Sequence, residues 1–139
     1  MCIILTIKSP ITSFSTKTQY NTKIHVSCQS SNLIYVMSCL VCGLQYVGQT
    51  KRTIAERFKE HFRSINKANS TDLKHVHFNS RGHHGTDDIQ IAVISHIKEH
   101  PDSARAQRAR DKMEMFWYHQ LGTLVPRGLN VEKTPKSSY

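Results

Sequence analysis

The sequence predicts a single α+β domain: a small, mainly antiparallel three-stranded sheet flanked by helices, with a zinc knuckle attached. Three observations carry this. Two short apolar runs, Leu33 to Met37 and Leu44 to Val47, flank Cys39 and Cys42 and read as the arms of a β-hairpin with a cysteine-bearing turn. Ile89 to Ile97, rich in β-branched residues, reads as a third strand. Between them Ile54, Phe58, Phe62 and Ile65 recur at i, i+4, i+8 and i+11, the buried stripe of a helix. At 139 residues the chain suits one such unit and is too short for two independent ones.

Residues 1–31 are rich in Ser, Thr and Lys and bury too little to fold alone, so they read as a weakly structured lead-in, or a linker remnant if the chain is the tail of a longer polyprotein. Cys28, near its end, packs under the sheet, assists a metal site, or stays a free buried thiol. The domain proper spans 32–132. Gly48 is expected because a side chain there would crowd the following helix. Thr53 opens that helix with Glu56 three places on, a capping-box pattern, and Arg57 and His61 lie one turn apart along it.

A polar turn from Asn66 to Thr71 leads into a second, short helix begun by Asp72, with Leu73, Val76 and Phe78 as its apolar positions; Ser80-Arg81-Gly82 ends it. The third helix follows Pro101, starts at Ser103 and ends at Gly122. Its first half, with Arg105, Arg108, Arg110 and Lys112, is expected to be exposed. Its second half, with Met113, Phe116, Trp117 and Leu121, is expected to be core apart from Glu114. Leu124 to Val131 is a loop around Pro126 and Gly128, and 133–139 reads as a disordered basic tail.

Lys and Arg number 19 against 10 acids, for a formal charge of +9, which suits phosphate backbones or an anionic membrane surface. No run approaches the roughly 18 apolar residues of a spanning helix. The opening MCIILTI lacks the basic flank and cleavage site of a signal peptide. Paired cysteines with histidines downstream favour metal ligation over disulfides, and with it a reducing intracellular setting such as the nucleus.

The candidate chemistry falls into three groups. A strand pair feeding a helix can gather Tyr35, Tyr46, Arg57 and His61. The Arg57 fork suits two phosphate oxygens, His61 can position water or stabilise a leaving oxygen, and either phenol can accept a proton if polarised. Glu114 is a lone acid in an apolar helical stretch, costly to bury unpaired, so it faces a divalent cation or pairs with Arg110 or Lys112. Cys39, Cys42, His77 and His83 make a closed tetrahedral zinc set, although His75 or His84 would serve equally well. Lys51, Arg52, Lys59, Arg63, Arg105 and Arg108, with Arg110, supply a DNA track of phosphate contacts.

At Leu33-Ile34-Tyr35 and Tyr46-Val47-Gly48 the chain resembles the GIY-YIG nucleases, with Leu33 where that family has glycine. Within the superfamily it resembles the endonuclease domain that follows the reverse transcriptase in Penelope-like retroelements, which pairs IYxxxCxxCxxxYVGQTKR with a late TLxPxGLN. Here these read Ile34 to Arg52 and Thr123 to Asn130. The resemblance implies catalytic Tyr35, Tyr46, Arg57, His61, Glu114 and Asn130, the last orienting Glu114 or the end of the second strand. It also implies Mg²⁺ or Mn²⁺ at Glu114, a structural Zn²⁺, and a nick whose 3′ hydroxyl primes an upstream reverse transcriptase domain copying its RNA. Two rivals stand beside it: a catalytically silent, zinc-stabilised DNA-binding module, and a GIY-YIG nuclease of repair or homing type.

Overall fold

The computed structural model describes residues 11–21, 24, 26–67 and 71–133. The first ten residues of the lead-in, part of the polar turn at 68–70 and the tail from 134 lie outside the described residues. A short hairpin of β1 (Ile11–Thr12) and β2 (Gln19–Tyr20) precedes three long strands, β3 (Ser31–Cys39), β4 (Gln45–Thr53) and β5 (Ile89–His96). The long strands pair antiparallel in the order β4-β3-β5. Being central, β3 is covered on both faces, and Asn32 through Met37 are all buried. Its sequence is therefore a continuous apolar run with no polar alternation.

Alternation still decides what each residue meets. Leu33, Tyr35 and Met37 face α1 (Ile54–Asn66) and α2 (Leu73–Phe78), packing with Ile54, Phe58, Ile65 and Phe78. Ile34 and Val36 face the opposite way and pack with Val47, Ile94, Tyr118 and Leu121 under α3 (Ser103–Gln120). The three helices start at side-chain caps: Thr53 Oγ1 accepts from Glu56 N at 3.2 Å, Asp72 accepts from Lys74 N, and Asp102 accepts from Ala104 N and Arg105 N.

Several local expectations are corrected. The described part of the lead-in is built into the body: Ile11 is buried, Ser13 Oγ donates to Leu121 O at 2.6 Å, and Gln45 Nε2 donates to Thr12 O. Composition missed this because the burial comes from α3 and β4. Cys28 is disulfide-bonded and so is neither a free thiol nor a metal ligand. In α2 the inward face is Lys74, His75 and Phe78, while Leu73 and Val76 are exposed. In α3 the buried stripe is Ala106, Arg110, Glu114 and Tyr118, so it runs through both halves, and Phe116 is 50% exposed. Helical spacing from Tyr118 fixes this stripe and leaves Phe116 on the outer side.

Candidate active site and metal centre

Tyr35 sits in the middle of β3 with its ring buried, and Gly48 stands opposite it in the register. A Cβ at position 48 would come within 2.4 Å of the Tyr35 Cζ and hydroxyl oxygen. Gly48 is thus required by the phenol beside it, which corrects the expectation that it relieves the following helix. α1 then brings two side chains onto that hydroxyl. Arg57 Nε donates to it at 3.2 Å, and His61 Nε2 lies 2.6 Å away. A guanidinium can only donate, so the phenol oxygen accepts from Arg57, and its own proton is free to point at His61 when Nε2 carries none. His61 belongs to the buried stripe of α1, and its Nδ1 faces His75 Nε2 at 3.5 Å.

Burial, reinforced by the Arg57 and Lys74 charges, pulls the His61 pKa down to about 3. Burial also pushes the Tyr35 phenol up to about 12, against the opposing pull of Arg57. Tyr46 is raised well above the usual phenol range, chiefly by burial. Its ring lies edge-on to His61, and Lys74 Nζ sits 4.6 Å from its centroid. The resting cluster is therefore neutral phenols and neutral imidazole around one guanidinium. With the phenol near 12 and the imidazole near 3, the proton rests on Tyr35, and Arg57 is the group placed to stabilise a phenolate.

Glu114 approaches from α3, on the other side of the sheet, and is 3% exposed. Gln49, next to Gly48 on the edge strand β4, donates Nε2 to Glu114 Oε2 at 2.6 Å, and Lys133 Nζ meets the same oxygen at 3.0 Å. The carboxylate is close enough to act electrostatically on Tyr35, Tyr46 and Arg57. Neither Arg110 nor Lys112 pairs with it. Arg110 is buried and donates to Asn32 Oδ1 and Gln107 Oε1, which removes it from the expected DNA track. Of the two expected roles of Asn130, the contacts are those to the second strand: Oδ1 accepts from Val47 N and Thr123 Oγ1, and Nδ2 donates to Val47 O. It staples the closing loop to β4 between Tyr46 and Gly48 and makes no hydrogen bond to Glu114.

At the hairpin turn, Cys39, Cys42, His77 and His83 bring their ligand atoms within 4.8 Å of one another. Ser80 Oγ donates to His77 O, so it can only accept from His83 Nδ1, as can Arg81 O at 3.3 Å. Nδ1 therefore holds the proton and Nε2 presents a lone pair. That Nε2 is buried among the four ligand atoms and makes no hydrogen bond of normal geometry among the described residues, so its lone pair fits a cation held by the group. Burial opposes ionisation of Cys42, yet the adjacent His83 and the Leu44 backbone N–H hold its thiol below the usual range, while Cys39 is raised mainly by burial. Two sulfurs and two imidazoles fit zinc. The alternatives are occupied elsewhere, His75 against His61 and His84 against Asp88 at 3.2 Å.

Lys51, Arg52, Lys59, Arg63, Arg105 and Arg108 are all exposed. Arg52 is tied to Glu60, which also accepts from Arg57 at 3.0 Å. Lys59 and Arg63 lie on α1, Arg105 and Arg108 on α3, and Lys51 and Arg52 at the end of the edge strand that touches both helices. Sequence reasoning missed Gln49, Glu60, Lys74, Asp111 and Lys133. Glu60 and Asp111 were findable, each three residues from Arg57 or Glu114 on a helix. Gln49, Lys74 and Lys133 gave no signal.

No significant match was found among curated proteins or among solved structures. A family model described as the GIY-YIG catalytic domain matches residues 31–127, from the start of β3 into the closing loop and short of Asn130. With sheet, phenols, guanidinium and carboxylate all inside that span, the chain belongs to the GIY-YIG family, a nuclease domain whose substrate is DNA.

Proposed function

We propose that this protein is a metal-dependent DNA endonuclease that nicks one strand and leaves a 3′ hydroxyl. One observation carries the reading: a buried phenol is held between a proton acceptor and a cation, with a buried carboxylate in electrostatic reach. Tyr35 takes the proton of the attacking water in its phenolate form, which Arg57 stabilises along with charge on the phosphate. Tyr46 shapes the same wall of the site. The Glu114 carboxylate is an oxygen donor suited to Mg²⁺ or Mn²⁺, which when bound neutralises charge on the phosphate. Cys39, Cys42, His77 and His83 would hold Zn²⁺ in a structural role, tying the hairpin turn to α2 and the turn after it.

One cluster of this composition occurs among the described residues, which favours a nick over a double-strand cut. The basic residues on both sides of β4 position the duplex through its phosphates. The IYxxxCxxCxxxYVGQTKR and TLxPxGLN resemblance supports, as part of this proposal, a setting in a Penelope-like retroelement in the nucleus, where the 3′ hydroxyl would prime an upstream reverse transcriptase domain on its RNA. The test is supercoiled plasmid with Mg²⁺ or Mn²⁺, alongside Glu114→Ala and Arg57→Ala. Relaxed circles from the unaltered protein alone support the nuclease. Equal gel retardation by all three with no cutting supports the silent DNA-binding module.

A further inference from the structure

Two carboxylates, not one, face the edge strand from α3. Asp111 lies one turn before Glu114, and a single amide serves both: Gln49 Nε2 donates to Asp111 Oδ1 at 2.7 Å and to Glu114 Oε2 at 2.6 Å. That amide cannot reverse, because Gln49 Oε1 accepts from Gln107 Nε2 at 3.1 Å. The pair is thus held together by fixed donors, and like charges so placed require a cation. Lys133 supplies it. Its Nζ lies 3.0 Å from Glu114 Oε2 and 3.7 Å from Asp111 Oδ1.

The remaining oxygens, Glu114 Oε1 and Asp111 Oδ2, accept no hydrogen bond among the described residues, and neither is a buried orphan, so both keep lone pairs toward solvent. Lys133 is anchored by its backbone, whose N–H donates to the Tyr118 hydroxyl at 3.1 Å, while its side chain is 42% exposed. The ammonium can therefore swing into water without disturbing the fold.

We propose that Lys133 is a tethered cation occupying a two-carboxylate metal site made by Glu114 and Asp111, and that a divalent metal binds by displacing it. The inference rests on the reading of this protein as a metal-dependent nuclease and adds Asp111 as a ligand. Apparent metal affinity is reduced by the fraction of time the ammonium is in place.

The experiment is calorimetric titration of the zinc-loaded full chain with Mn²⁺, with no DNA present, and circular dichroism to verify folding. Lys133→Met is expected to bind Mn²⁺ about tenfold more tightly, Lys133→Arg to stay near the unaltered protein, and Asp111→Asn to bind about tenfold more weakly. Equal Mn²⁺ affinity in Lys133→Met and the unaltered protein, with binding lost in Glu114→Gln, overturns the displacement and leaves the metal reading intact. Binding unchanged by Glu114→Gln overturns both. Affinity unchanged by Asp111→Asn removes Asp111 from the site.

Discussion

The Tyr35 hydroxyl lies 2.6 Å from His61 Nε2, and this one contact joins the central strand to the first helix. The phenol is deeply buried, the imidazole is held neutral, and Arg57 approaches the same oxygen from the side. Stability and the response to acid depend on that trio, and in the proposed mechanism so does the cleavage rate.

Removing the hydroxyl with Tyr35→Phe is expected to lower the nicking rate by about 10²-fold or more. It also leaves a buried imidazole nitrogen without a partner, at a cost of about 1–3 kcal/mol in stability. Plasmid relaxation rates and urea unfolding measure the two effects separately.

His61 also sets a pH dependence of stability. Its folded pKa of about 3 lies below the ordinary value of 6.5, so below pH 6.5 the unfolded chain takes up a proton that the native state refuses. Stability is full above that value and falls as pH drops toward 3, with a slope of about 1.4 kcal/mol per pH unit from this group. His75, also lowered chiefly by burial, adds in the same direction. Urea melts from pH 7 to 4 should show the decline, and His61→Gln should flatten it.

Gly48→Ala is expected to destabilise the domain by about 1–3 kcal/mol, since the new methyl meets a buried ring. Shortening that ring should relieve the clash. Tyr35→Leu in the Gly48→Ala background should therefore cost less than the two single changes summed, which a double-mutant cycle on urea midpoints will measure.

Purified protein is expected to hold one tightly bound zinc per chain, and a strong chelator should lower its melting temperature. Cys42→Ser and His83→Ala should lose the ion, whereas His84→Ala should keep it, because His84 faces Asp88. A fully folded protein that elemental analysis finds free of zinc would remove this centre.

The proposed phosphate contacts would carry a salt signature. Replacing Lys59 and Arg63 together with Ala should weaken DNA binding across sequences and reduce the slope of log affinity against log salt by about two, one per lost contact. Fluorescence anisotropy at several salt concentrations reads it directly.

The three long strands, the helices and the cysteine turn were legible because each is written locally, in periodicity, caps and spacing; the β1-β2 hairpin was not. The candidate site was legible where a side chain departs from its surroundings, as Glu114 does inside an apolar stretch, and where a strand pair feeding a helix gathers Tyr35, Arg57 and His61. What was hidden depends on contacts between distant segments. Gln49 matters because α3 happens to pack on β4, Asn130 because its loop folds back on Val47, and Lys133 because a residue read as tail reaches a buried acid. The burial of Arg110 follows from Asn32, 78 positions earlier, which no helical spacing reports.

The phenol cluster and the Glu114 carboxylate lie on opposite sides of one sheet, and the edge strand β4 serves both, with Tyr46 turned toward the one and Gln49 toward the other. The cysteine turn fixes how β3 and β4 align and so works as a ruler. One residue inserted between Cys39 and Cys42 that slipped β4 by one position would exchange its faces, turning Gln49 toward the phenol and Tyr46 toward the acid. The spacing of the two cysteines thereby governs the geometry of a reaction in which neither takes part.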